Sequence, residues 1–113
     1  MKKIDIEKII KAGGATLNKN GKTVDFCTGY QVSKKDCYTL NAENVNGILT
    51  AVNSLLSSIK SGEFVGLWVN SGLIYIDISE RVERLSAAIV AGIERKQKSI
   101  FDWCLSRCIG LEG

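Results

Sequence analysis

Histidine and proline are both missing from the 113 residues. Without histidine there is no imidazole base, no Ser–His or Cys–His nucleophile pair and no imidazole metal ligand. Without proline, no PxxP recognition segment and no stiff linker is encoded. Long apolar runs are lacking too, since no stretch approaches the roughly 18 to 20 residues that a membrane span needs. The opening Met1-Lys2-Lys3-Ile4-Asp5 is basic, but has neither the apolar run nor the small-residue cleavage site of a signal peptide. Phosphate-binding loops of the GxGxxG or GxxxxGK(S/T) kind are absent, and Gly13-Gly14 follows a predicted helix instead of opening one. These gaps set the first expectations: a cytoplasmic protein, not an enzyme, with no cofactor, no metal and no membrane partner.

Cysteine is present at four positions, Cys27, Cys37, Cys104 and Cys108. In a reducing compartment free thiols are the expected state. Nine residues separate the first two and three separate the last two, and neither spacing gives the tight CxxC knuckle of structural zinc sites. The four thiols are therefore read as small core or edge residues.

The length and the 45% hydrophobic content suit one domain over residues 1 to 113 with one shared core. The net charge of +3 is uneven. Residues 1 to 36 hold eight lysines against four acids, and residues 37 to 113 hold seven basic residues against eight acids. A mildly basic first third leaves open a polyanion partner or an ordinary solvated surface.

The periodicity predicts an α+β fold. A short helix is expected over Ile4 to Ala12, capped by Asp5 and stopped by Gly13-Gly14. Ala15 to Leu17 reads as a short strand. Tyr30 to Ser33 and Cys37 to Leu40 read as a hairpin with an exposed tip at Lys34-Lys35-Asp36. Val45, Ile48, Leu49, Val52, Leu55, Leu56 and Ile59 mark one face of a long helix over 41 to 61, with Asn41 as N-cap. Gly47 inside it is read as close packing or as neutral. Phe64 to Val69 and Leu73 to Ile78 form a second hairpin around Asn70-Ser71-Gly72. A third helix is expected from Ser79, its cap, to about Lys96, burying Val82, Leu85, Ile89 and Ile93, with a Glu80–Arg84 pair on its surface. Residues 99 to 111 read as a closing hairpin. The expected architecture is an antiparallel or mixed sheet of about six strands, with two main helices packed on it and a short N-terminal helix.

Alternation divides the second hairpin into an aliphatic face and a face bearing Phe64, Gly66, Trp68, Leu73, Tyr75 and Asp77. Phe101 and Trp103 share a face of the closing hairpin. Rings with a polar edge suit interfaces, and they equally suit a second core layer. Asp77 is expected to help cap the following helix. A buried Asp102 calls for a partner such as Tyr75, Arg81 or Arg84.

The phrases Gly29-Tyr30-Gln31-Val32-Ser33, Phe64-Val65-Gly66-Leu67-Trp68-Val69, Tyr75-Ile76-Asp77-Ile78-Ser79 and Ser99-Ile100-Phe101-Asp102-Trp103 occur in this order. As a set they resemble uncharacterised small proteins carried by phages and conjugative elements of Gram-positive bacteria, over residues 13 to 111. The resemblance implies context only: small accessory proteins of such elements often bind and block a component of the host. The expected function is a non-enzymatic binding protein that inhibits a host defence system, in the manner of an anti-CRISPR protein, through Trp68, Tyr75 and Trp103, with Lys34 and Lys35 steering it. The partner is then a host protein or nucleoprotein complex. The alternatives are a small nucleic-acid-binding accessory protein or a nucleotide sponge with a pocket near Tyr75, Asp77 and Asp102. A homodimer through an open sheet edge is compatible with all three.

Overall fold

A computed structural model describes residues 1–111, and the last two residues of the expected 1–113 domain lie outside them. The described residues form helices α1 (Lys3–Ala12), α2 (Val45–Ser58) and α3 (Leu85–Glu94). They form strands β1 (Gly14–Leu17), β2 (Tyr30–Asn41), β3 (Glu63–Asn70), β4 (Leu73–Val82), β5 (Ser99–Asp102) and β6 (Arg107–Gly110). All six strands pair antiparallel in one sheet of order β1-β3-β4-β2-β5-β6. The fold is α+β, as the patterning predicts.

The β3–β4 hairpin lies between β1 and β2 in the sheet, and its sequence alternates without interruption. Ser71 and Gly72 both adopt positive φ in a two-residue turn, the geometry whose twist matches that of the flanking strands. One face of the hairpin buries Val65, Leu67, Ile74 and Ile76 against Ile48, Val52 and Leu55 of α2 and Ile6 and Ile9 of α1. A smaller core joins Val32 of β2 and Ile100 of β5 to Ala88 of α3. Both cores lie on the same side of the sheet, so the face bearing Trp68 and Tyr75 is left without a helix.

The structure corrects several expectations. Residues 30 to 41 are one twelve-residue strand, not a hairpin. Its register against β4 shifts between Ser33 and Lys35 and again between Asp36 and Tyr38. Lys34 and Cys37 are the extra residues of two β-bulges, and bulges bend and twist the strand that carries them. Asn41 closes β2, where its side chain accepts from the Glu43 amide. Asn44 is the N-cap of α2 and accepts from the Gly47 amide at 3.1 Å. Gly47 has a local reason: a Cβ there would collide with the capping side chain of Asn44. In α1, Asp5 stands at the third helical position and reaches back to accept from the Lys2 amide at 2.8 Å.

The start of α3 also differs. β4 runs on to Val82, so Ser79 is a buried strand residue and not a helix cap. Glu80 pairs with Arg95 at 2.9 Å instead of Arg84. The helix turns its small residues, Ala88 and Gly92, toward the sheet. A Cβ at Gly92 would strike Leu111 and Ile100. This close approach leaves Leu85, Val90 and Ile93 on the outside, exposed by 41, 55 and 56%. Of the expected stripe, Ile89 and the strand residue Val82 pack against the smaller core, while Leu85 and Ile93 are turned away from it.

Candidate functional site

The two bulges of β2 curl the sheet, and the helix-free face becomes concave. β3 and β5 are separated by β4 and β2, which in a flat sheet places them about 14 Å apart at the usual strand spacing. Yet the Trp68 and Phe101 ring centroids are 5.5 Å apart. Aromatic contacts continue across this face. Phe101 meets Trp103 edge to face at 5.0 Å, Trp103 meets Phe26 at 5.4 Å, and Phe26 meets Phe64 at 5.5 Å. The rings of both hairpins thus join in one chain, a link made by curvature and not by strand alternation alone.

Arg81 fixes Phe26, the ring of this chain that links Trp103 to Phe64. Its guanidinium lies 5.0 Å from the Phe26 ring centroid and donates to the Thr28 carbonyl and hydroxyl, both at 2.9 Å, while pairing with Glu83. Arg81 therefore ties residues 26 to 28 over the concave face. Buried Gln31 orients the next ring. Its Nε2 donates to Ser79 Oγ at 2.8 Å, and its Oε1 accepts from Trp103 Nε1 at 3.0 Å. Satisfying the indole in this way removes most of the cost of holding Trp103 partly buried.

Beside the rings lies an open cleft of about 540 Å³. Trp68, Tyr75 and Phe101 wall it, and Gln31, Ser33, Asp36, Asp77 and Ser79 supply polar groups. A second lobe of about 230 Å³ lies between Gly14 to Thr16 of β1 and Trp103. Thr16, Gln31, Trp68 and Phe101 line both lobes, so the Trp68–Phe101 contact marks the divide between them.

Asp77 and Asp36 face each other in register across β4 and β2. The Ser33 hydroxyl donates to Asp36 Oδ1 at 3.3 Å. Asp77 Oδ1 is shielded from solvent and has no hydrogen-bond partner among the described residues. It rests over Gly66, where a Cβ would collide with it. Burial and, after it, the Asp36 charge push the Asp77 carboxyl up to about 7, with the nearby Ser33 hydroxyl and Gly66 amide offsetting part of their effect. Asp77 does not cap a helix. A carboxyl is held in the floor of a cleft at the expense of its ionised form.

Trp68 and Tyr75 are register partners on β3 and β4 and form the rim, each 42% exposed. Trp103 belongs to the same ring chain, but is bonded inward to Gln31. Lys34 and Lys35 lie elsewhere, at the bulged middle of β2. Lys34 bonds Glu63 at 2.7 Å, and this bond, with the Lys60 amide, holds the Glu63 carboxyl below its usual range. Lys35 is exposed opposite Ile78. Asp102 stands apart from the cleft. Only 5% exposed, it accepts from the Cys104 and Leu105 amides at 2.9 and 3.2 Å, so it closes the β5–β6 turn and needs neither Tyr75 nor an arginine. The pocket expected near Tyr75, Asp77 and Asp102 keeps the first two and excludes the third.

Gln31, Ser33 and Phe26 carry much of this arrangement and were not singled out from the sequence. Strand alternation does place Asp77 beside Trp68 and Tyr75. Nothing local marks Gln31, because its partners Ser79 and Trp103 lie 48 and 72 residues away.

All four cysteines are free thiols, and burial raises the Cys37 thiol above its ordinary value. No group of three or more potential ligands that could hold a metal ion occurs among the described residues. No helix of the described residues is long and apolar enough to cross a membrane. Comparison with protein families, with curated proteins and with solved structures found no match to this chain.

Proposed function

We propose that this is a non-enzymatic binding protein that takes its partner on the concave face of the sheet, with Trp68 and Tyr75 as anchoring rings. The observation that carries this reading is the pairing of exposure with preorganisation. Two large rings stand 42% exposed side by side at the mouth of a cleft. The rings behind them are fixed by edge-to-face contacts, by Gln31 and by Arg81. Rings held in place before binding lose little conformational entropy on contact, the property that makes Trp and Tyr effective anchors. The hydroxyl and carboxyl groups of the cleft suit recognition better than turnover: Ser79 accepts from Gln31, and Ser33 donates to Asp36.

The resemblance to small proteins of phages and conjugative elements suggests the partner, a host protein or nucleoprotein complex of a defence system such as CRISPR–Cas, which the protein would inhibit from the cytoplasm. The nucleic-acid alternative draws less support, because Lys34 is committed to Glu63 and the cleft holds two carboxyl groups. The test is purification of the tagged protein from host lysate with and without nuclease, alongside a Trp68→Ala, Tyr75→Ala double variant. One dominant protein that survives nuclease and is lost with the double variant is the expected result. Recovery that vanishes with nuclease, and falls steeply with salt for purified DNA or RNA, supports the alternative.

A further inference from the structure

We propose that the large lobe of the cleft receives a guanidinium group, the head of an arginine side chain of the partner, seated between the Trp68 and Tyr75 rings and the Asp77 carboxyl. This inference rests on the binding role proposed above and names the chemistry that the cleft selects.

Three observations lead to it. First, Asp77 is a half-buried floor carboxyl of this lobe: its Oδ1 is turned down onto Gly66, shielded and unpartnered, and with no cation paired to it its other oxygen is left to meet a donor from the lobe. Second, Asp36 lies in register beside it, so the two acids share one neighbourhood. Lys98 is the cationic side chain among the residues that line this lobe, and it forms no ion pair with either acid. Third, the walls are aromatic, with Trp68, Tyr75 and Phe101 lining the lobe. A planar cation gains from stacking on such faces while its N–H groups donate to a carboxylate, and guanidinium does both better than ammonium. An anion or a neutral apolar group would meet the two acids without compensation.

Gly66 provides the room. Without a side chain there, the carboxyl folds down over the strand and leaves the lobe open. The charged and titratable groups around Asp77 are Asp36, Cys37 and Tyr38 on β2, Tyr75 on its own strand, and Lys98 and Cys108 on the β5–β6 side. Of these, Asp36 is the one whose charge raises Asp77. A guanidinium binds the ionised carboxylate, so its affinity follows the ionised fraction.

The experiment is a titration of the full chain with ethylguanidinium and with ethylurea, its neutral planar counterpart. It is followed through the Gly66 amide and Trp68 indole NMR signals at constant ionic strength. The expected result is saturable binding of ethylguanidinium, weaker by about tenfold or more for ethylurea and for Asp77→Asn. Affinity should be about tenfold higher at pH 8 than at pH 6, as expected for a carboxyl titrating at about 7. Lys34→Ala should bind as the parent does. Because Asp77→Asn removes a charge that burial opposes, a thermal melt is expected to show it folded. Equal binding of ethylurea, no saturable shift, or undiminished binding by folded Asp77→Asn overturns the proposal. Partner capture separates the two levels. Capture lost with Trp68→Ala, Tyr75→Ala but kept with Asp77→Asn overturns the guanidinium seat and leaves the binding face standing. Capture indifferent to the rings overturns the binding face, while the ethylguanidinium result still decides the seat.

Discussion

Asp77 is the residue at which the fold accepts a cost. Its carboxyl titrates at about 7 in the folded protein against 3.8 for the free group. The folded state therefore binds the proton more tightly than the unfolded chain, and stability falls as pH rises from about 4 to about 7, then levels off. The difference corresponds to roughly 4 kcal/mol at pH 8. Asp77→Asn keeps the shape and removes the charge. Urea titrations at pH 5 and pH 8 should show the parent losing stability between the two and Asp77→Asn nearly unchanged. A parent with flat stability over this range would contradict the buried-carboxyl account. Gln31 makes the opposite case, a polar group fully used. Gln31→Ala leaves the Trp103 indole and the Ser79 hydroxyl without their partner, and a loss of about 1 to 3 kcal/mol is expected in the same assay. Asp102→Ala removes the acceptor of two turn amides, and a similar loss is expected.

At the scale of elements, what the sequence reveals depends on whether a pattern is uninterrupted. β3 and β4 alternate strictly through Ile78, so their turn and their aliphatic face follow from period two, whereas the end of β4, which runs on to Val82 through charged residues, does not. α2 follows equally well from its apolar face, except at its start, where Asn41 and Asn44 are both good caps and tertiary context chooses the second. β2 is hidden because bulges at Lys34 and Cys37 break the alternation in a charged stretch that looks like a turn. α3 is misread because volume, not hydrophobicity, decides its orientation. Ala88 and Gly92 let it approach the sheet, and Leu85, Val90 and Ile93 point outward while Ile89 stays against the core. Gly92→Val tests this directly. The new side chain meets Leu111 and Ile100, and overpacking should cost about 1 to 3 kcal/mol, measured by thermal or urea unfolding. Ile93→Ser, on the exposed side, should change stability by less than about 0.5 kcal/mol.

At the scale of the molecule, the cleft is a product of curvature. The rings and the floor groups can each be assigned to a face from alternation, but alternation does not say that the face bends until Trp68 touches Phe101. Nor does it say that Phe26, from a loop, bridges Phe64 and Trp103. The question left open by the sequence, aromatic core or aromatic interface, divides between the rings. Phe26, Phe64, Phe101 and Trp103 are partly covered and hold one another, and Trp68 and Tyr75 stand at the rim. With the three helices of the described residues on the other side of the sheet, the concave face is left uncovered, and the proposed partner docks there. The most direct measurement is quantitative capture of the host partner by the parent and by the Trp68→Ala, Tyr75→Ala variant, after both are shown to melt at similar temperatures. The account predicts a dominant, nuclease-resistant partner for the parent and at least a tenfold loss for the variant. Equal capture by the two would contradict it.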